Sequence, residues 1–282
     1  MYTKNISEKI WDGVLYPIPD RKDKVVVVIS GSEGGLKYTR KCAQYLQDRG
    51  IPALALGYFK TQNTQKYLDR VPLERIGAAI KWLNQNGYQK IAVEGISKGT
   101  EYAFAAAIQY PIISCVIAKT PSWFYSEGMI NKKPSGTSCW SYADRELPYT
   151  PYKKRRFHML KMLWKKKEFN ILEVNTGKTV NPESVIPIEK IQGPILILSV
   201  EKDTIWPSKE SGENLMKRLD EKHFPYAHKH ISYAHMSHMM MEYFGSEIRY
   251  FIKSEREYPG ECAKERIEMG NACVQWIEKV WI

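Results

Sequence analysis

Ser97 is the residue best placed for covalent chemistry, lying in VEGISKG between Gly95 and Gly99. A serine hydroxyl is a weak nucleophile until a base takes its proton. That base needs an acid to hold its tautomer and steady its charge. Where such a serine stands on a strand-to-helix turn, the acid and then the base follow it in the chain. Asp203 in SVEKDTIWPS and His238 in ISYAHMSHMM meet that order. Glu201 competes with Asp203 and sits nearer the preceding apolar run. His235 competes with His238, and histidines three residues apart do not both reach one hydroxyl. His158, His223, His228 and His230 read as surface or core histidines. The plain alternative for Ser97 is a small residue in a tight turn.

Attack on a carbonyl also needs two N–H donors for the oxyanion. One is the backbone N–H of Lys98, at the start of a helix. The other is expected from SGSEGGLK, where the N–H of Ser32 or of Glu33 is the candidate. The same glycines also suit a simple turn before a helix. A phosphate-binding loop ranks last, because the GxxxxGK[ST] spacing is missing.

The elements that must hold these groups alternate along the chain. Apolar, β-branched runs at 24–30, 52–59, 90–95, 112–119, 193–200 and 227–233 predict strands. Helical periods at 36–49, 71–86, 97–109, 208–219 and 261–282 predict helices. This is an α/β pattern with a mostly parallel sheet covered on both faces, in which ligands bind beyond the C-terminal strand ends. Residues 121–192 break the alternation and read as a cap inserted into a single domain spanning 1–282. Its aromatics Trp123 and Trp140, with Trp206 beside Asp203, are candidate pocket walls, and equally candidate core residues.

Composition narrows the class. Hydrophobic residues make up 43% and charged residues 26%, as in ordinary globular chains. No apolar run is long enough to span a bilayer, and MYTKNISEKIWDG lacks the apolar stretch of a secretory signal. A cytoplasmic protein without an integral membrane segment is expected. The five scattered cysteines form no CxxC pair, which argues against a disulfide framework or a zinc site. No metal and no cofactor are expected. The net charge of +11 invites an anionic partner, but a solvated basic surface is the default, and nucleic acid is not expected. PYKKRRFHMLKMLWKKKEF reads as a basic amphipathic helix with its apolar stripe on the core. Its functional readings are a seat for coenzyme A phosphates or contact with an anionic membrane.

VVVVISGSEGGL, IPALALGYF, VEGISKGTEYAFAAA, CWSYADRELPYTPY, SVIPIEKIQGPILILSVEKDTIWPS and the YAHMSHM region together carry a resemblance. The chain resembles the C-terminal catalytic domain shared by acyl-CoA thioester hydrolases and bile acid-CoA:amino acid N-acyltransferases, a family similar to dienelactone hydrolases. The resemblance implies an α/β-hydrolase fold. It implies a nucleophile at Ser97, an acid at Asp203 and a base at His238, with His235 as the alternative. It implies a small-molecule ester or thioester substrate such as an acyl-CoA, cleaved through an acyl-enzyme, or passed to an amine. Family thioesterases carry an N-terminal β-sandwich, which is not expected in the two dozen residues ahead of the first core strand.

Overall fold

The structure, a computed structural model, describes residues 2–152, 159–172, 179–243 and 249–282. Its centre is an eight-stranded sheet in the order β1-β2-β4-β3-β6-β7-β12-β13. The strands are β1 Lys4–Glu8, β2 Trp11–Tyr16, β3 Lys24–Ile29, β4 Ala53–Gly57, β6 Lys90–Ile96, β7 Ile113–Lys119, β12 Ile195–Val200 and β13 His228–Tyr233. From β4 to β13 all neighbours run parallel, whereas β1 and β2 are antiparallel additions at one edge. The β1–β2 pair was not expected, so the first strand of the main sheet precedes residue 24.

Parallel strands buried on both faces need apolar residues at every position. KVVVVI supplies them: Val25, Val27 and Ile29 enter one core, while Val26 and Val28 enter the other. The first core is closed by α2 (Glu74–Gln85), α3 (Lys98–Gln109) and α5 (Ser208–Glu221) through Ile76, Leu83, Phe104 and Leu215. The second is closed by α1 (Lys37–Gln47) and α7 (Pro259–Gln275) through Tyr38, Leu46, Met269 and Cys273. All five cysteines are buried and free. The C-terminal helix ends in a π-turn at Trp276–Val280.

The chain passes from β3 through α1 on one face to β4, and from β4 through α2 on the other face to β6. The loops after β3 and β6 therefore open beside each other at the C-terminal edge, a switch point where a ligand can enter. The described residues of 121–192 join no strand of the main sheet. They form a hairpin of β8 (Glu127–Ile130) with β9 (Lys133–Ser138), and a small sheet of β10 (Trp140–Tyr142) with β11 (Arg145–Glu146). They also form the helix α4 (Met159–Lys166). The small sheet recruits β5, Val71–Pro72, by a parallel pairing of Val71 with Trp140. A helix was expected from residue 71. Pro72 holds the preceding residue extended, so α2 starts later. A further short helix, α6, is Lys253–Glu257.

Candidate active site

The loop between β6 and α3 is a single residue, and its geometry depends on two glycines. A Cβ on Gly99 would come within 2.3 Å of the Ser30 carbonyl oxygen, and one on Gly95 within 2.6 Å of the Gly99 oxygen. Ser97 between them sits at φ 54°, ψ −125°, a strained conformation for a residue with a side chain. Its N–H is held by the carbonyl of Lys119 at 2.9 Å.

Three loops converge on the hydroxyl. Ser97 Oγ lies 2.9 Å from Nε2 of His238. Nδ1 of His238 lies 3.0 Å and 2.9 Å from the two oxygens of Asp203. A carboxylate only accepts, so Nδ1 carries the proton and Nε2 is left to accept from the serine. All three side chains are buried. Asp203 is fixed by the N–H of Ile205 at 2.8 Å and of Trp206 at 3.2 Å, both donated to Oδ1. The Trp206 ring meets the His238 ring edge-on at 5.1 Å, and its indole N–H reaches the Thr120 carbonyl at 3.1 Å.

The competitors of these residues are occupied elsewhere. Glu201 pairs with Lys209 on the surface. His235 gives Nδ1 to Glu265 at 2.9 Å and packs on Tyr258. Glu265 also accepts the N–H groups of Ala234, His235 and Met236. Burial alone would raise the Glu265 pKa, but the hydrogen bonds from His235 and Met236 outweigh it and hold the carboxyl below its usual range. Among the other histidines, His230 bonds Ser199 and His228 bonds Asp220. His158 lies outside the described residues.

The glycine loop after β3 does pack against Ser97, since a Cβ on Gly31 would meet the Ser97 Cβ at 3.0 Å. Lys98 opens α3, where first-turn N–H groups have no intrahelical acceptor. Ser32 and Glu33 are exposed residues. The Glu33 carboxylate nevertheless folds inward and takes the Gly31 N–H at 3.0 Å and its own N–H. Desolvation of that inward end pushes its pKa up against those stabilising contacts.

The three tryptophans separate. Trp206 stands at the triad and Trp123 is half-buried against Phe124. Trp140 is fully buried among Tyr58 and Tyr102, with its indole N–H given to Glu101 at 2.9 Å, so it is a core residue and not a pocket wall. Glu101 also takes the N–H of Ser126 at 2.9 Å and pairs with Lys98 Nζ at 3.3 Å, fastening the segment after residue 121 to α3. Burial opposes the charge of Lys98, but Cys139, Glu101 and Tyr152 around it raise its pKa and keep it an ammonium.

A second buried charge lies behind the triad. Lys119 Nζ is 2.6 Å from Glu94, also bonds Glu242, and is fully buried. Burial works against its charge, and Cys42, Glu242 and Glu94 more than offset it. Cys42, Glu94 and Glu242 are close enough together to hold a metal ion, but the lysine ammonium already stands among them. A lysine in ISCVIAK and a glutamate in KIAVEG were visible in the sequence, and charges inside apolar strands signal such a pair. A separate depression between Leu147, Tyr149, Pro151 and Asn181 lies away from these residues.

Known proteins share this fold. The solved dienelactone hydrolase of Anabaena variabilis superposes with a TM-score of 0.55 at 13% identity, with 99% of each chain covered. The fold is that of the α/β-hydrolases. Acyl-coenzyme A amino acid N-acyltransferase 2 of Rattus norvegicus is 28% identical over 209 residues, 69% of this chain and 44% of that protein. Acyl-coenzyme A thioesterase 1 of Mus musculus is 24% identical over 198 residues, 69% of this chain and 43% of that protein. The chain thus spans less than half the length of the curated relatives it matches. The family model described as BAAT / Acyl-CoA thioester hydrolase C terminal matches residues 71–263, a stretch that runs from before the serine elbow to beyond His238. The chain belongs to that family.

Proposed function

We propose that the chain is a serine hydrolase that cleaves an ester or thioester through an acyl-enzyme on Ser97. The observation that carries this reading is the alignment of Ser97 Oγ, His238 and Asp203 at hydrogen-bond distances, with the serine on a strained turn at a helix start. His238 takes the hydroxyl proton as the oxygen attacks the carbonyl. Asp203 holds the ring and balances its charge. The tetrahedral oxyanion is received by the N–H of Lys98 and by the loop at Gly31–Glu33, once the Glu33 carboxylate has turned away. His238 then returns its proton to the leaving group, and a water activated by the same ring releases the acid.

Residues 121–192 act as a cap on a single α/β-hydrolase domain, pinned to α3 by Glu101. Trp206 and Trp123 line the acyl side. Acyl-CoA thioesters are the substrate class suggested by the names of the relatives, and the excess of lysine and arginine suits their phosphates.

The test is labelling of the folded chain with a fluorophosphonate, followed by a kinetic screen of thioesters against simple esters. Labelling should occur in the wild type and vanish in Ser97→Ala. A folded wild type that never labels would sink the enzyme reading. Product analysis with added amino acids separates hydrolysis from transfer to an amine.

A further inference from the structure

One surface strip is used neither by the core nor by the triad. In it α4 and the residues after it lie against 249–253: the Phe169 N–H reaches the Phe251 carbonyl at 2.9 Å, and Arg256 reaches the Lys167 carbonyl at 2.6 Å. Four aromatic rings stand out of these two segments. Trp164 is 84% exposed, Tyr250 79%, Phe251 58%, and Phe169 is exposed at its edge. Water is a poor solvent for such a set, and a folded chain seldom leaves several large rings together at its surface without a use for them.

The charges around the rings say which partner fits. Residues 162–169 and 249–257 hold six Lys or Arg against three Glu. Glu255 is turned inward onto Arg266, and Glu257 pairs with Lys253. The outward field is therefore positive. A two-fold contact with a second copy would set this field against itself. An anionic lipid surface cancels it, and tryptophan and tyrosine favour the headgroup layer, where one side of the ring is wet. Among the described residues no helix is long and apolar enough to cross a membrane, so contact would be peripheral.

We propose that Trp164, Phe169, Tyr250 and Phe251, with Lys165, Lys167 and Arg249, form a docking surface for an anionic lipid bilayer. The rings enter the headgroup layer and the cations meet acidic lipids. The strip adjoins the triad, because the Ile171 N–H reaches the carbonyl of Thr204, next to Asp203, at 2.7 Å. Docking therefore places the neighbourhood of the site against the lipid, where apolar acyl compounds collect. Binding does not depend on which bond Ser97 attacks, so it stands or falls separately from the hydrolase reading.

The experiment is co-sedimentation of the full chain with vesicles of phosphatidylcholine alone or containing phosphatidylserine. The chain should pellet with the phosphatidylserine vesicles only, and release in about 1 M salt, where screening shortens to about 3 Å. Lys165→Glu should weaken partitioning at least about fivefold. Trp164→Ala with Phe251→Ala should weaken it about tenfold or more, with an unchanged thermal midpoint as the folding control. No pelleting with phosphatidylserine vesicles overturns the proposal, as does unchanged pelleting by the folded double variant. Sedimentation velocity showing a dimer that the double variant abolishes would overturn it in favour of a second copy.

Discussion

Asp203→Asn separates the presence of the acid from the proton pattern it imposes. Oδ1 of Asp203 accepts two backbone N–H groups, from Ile205 and Trp206. An asparagine therefore keeps its carbonyl oxygen at that end, because its amide nitrogen would clash with two donors. The amide nitrogen then takes the place of Oδ2, 2.9 Å from Nδ1 of His238. The carbonyl oxygen 3.0 Å from Nδ1 is already occupied by the two backbone donors, so the amide donor sets the pattern: Nδ1 accepts, and the ring proton moves to Nε2. Ser97 Oγ, 2.9 Å away, then meets an N–H where a lone pair is needed. Every heavy atom stays in place and the base is lost. The expected fall in kcat/KM is about 10⁴-fold, or about 5.5 kcal/mol of transition-state stabilisation. Unfolding free energy should change by no more than about 1 kcal/mol, since the turn bonds survive. Initial rates on a p-nitrophenyl ester and on a thioester, with urea unfolding in parallel, read both quantities. A variant within tenfold of wild type would refute the tautomer argument. So would a rate loss that merely tracks the unfolded fraction.

Two further predictions concern the supports of the triad. Lys119→Met leaves Glu94 and Glu242 facing each other in the interior, and should cost about 3–5 kcal/mol in denaturant unfolding. Adding Glu94→Gln and Glu242→Gln to it should recover part of that loss. Glu265→Gln should slow turnover, because Glu265 holds the backbone of 234–236 that delivers His238. Its folded pKa lies below the usual 4.5, so its stabilisation is present above that value and is lost as pH falls through the folded pKa. The variant should thus melt below wild type at pH 7, and the gap should close in acid, as read by thermal unfolding at both pH values.

The parts of the fold legible in the sequence are those specified locally. KVVVVI and ILILSV announce buried strands by composition, and the serine elbow by its two glycines. The edge pair β1–β2 was not legible, because it joins the main sheet only through the pairing of WDGVLY with β4, some forty residues on. Whether Trp140 was a pocket wall or a core residue could not be read, because its partners Tyr58, Tyr102 and Glu101 come from other elements. The order of Ser97, Asp203 and His238 could be read. Which histidine of AHMSHM lies at the serine could not, since that depends on Glu265 reaching back from α7 to occupy His235. Buried ion pairs leave a plainer trace: Lys119 and Glu94 each interrupt an apolar strand, and neither could enter the core alone.

On the proposed hydrolase reading, the contact between Ser97 and His238 also dates the birth of reactivity during synthesis. It joins residues 141 positions apart, and the histidine follows the strand that completes the far edge of the sheet. A nascent chain that has emerged only as far as β12 already carries the serine on its turn and the strands that flank it, but nothing to take its proton. Such a chain is chemically silent towards any acyl compound it meets. The hydroxyl becomes reactive only when β13 registers beside β12. Acquisition of a fluorophosphonate label would then serve as a clock for closure of the sheet, stamped on each molecule as its last strand falls into place.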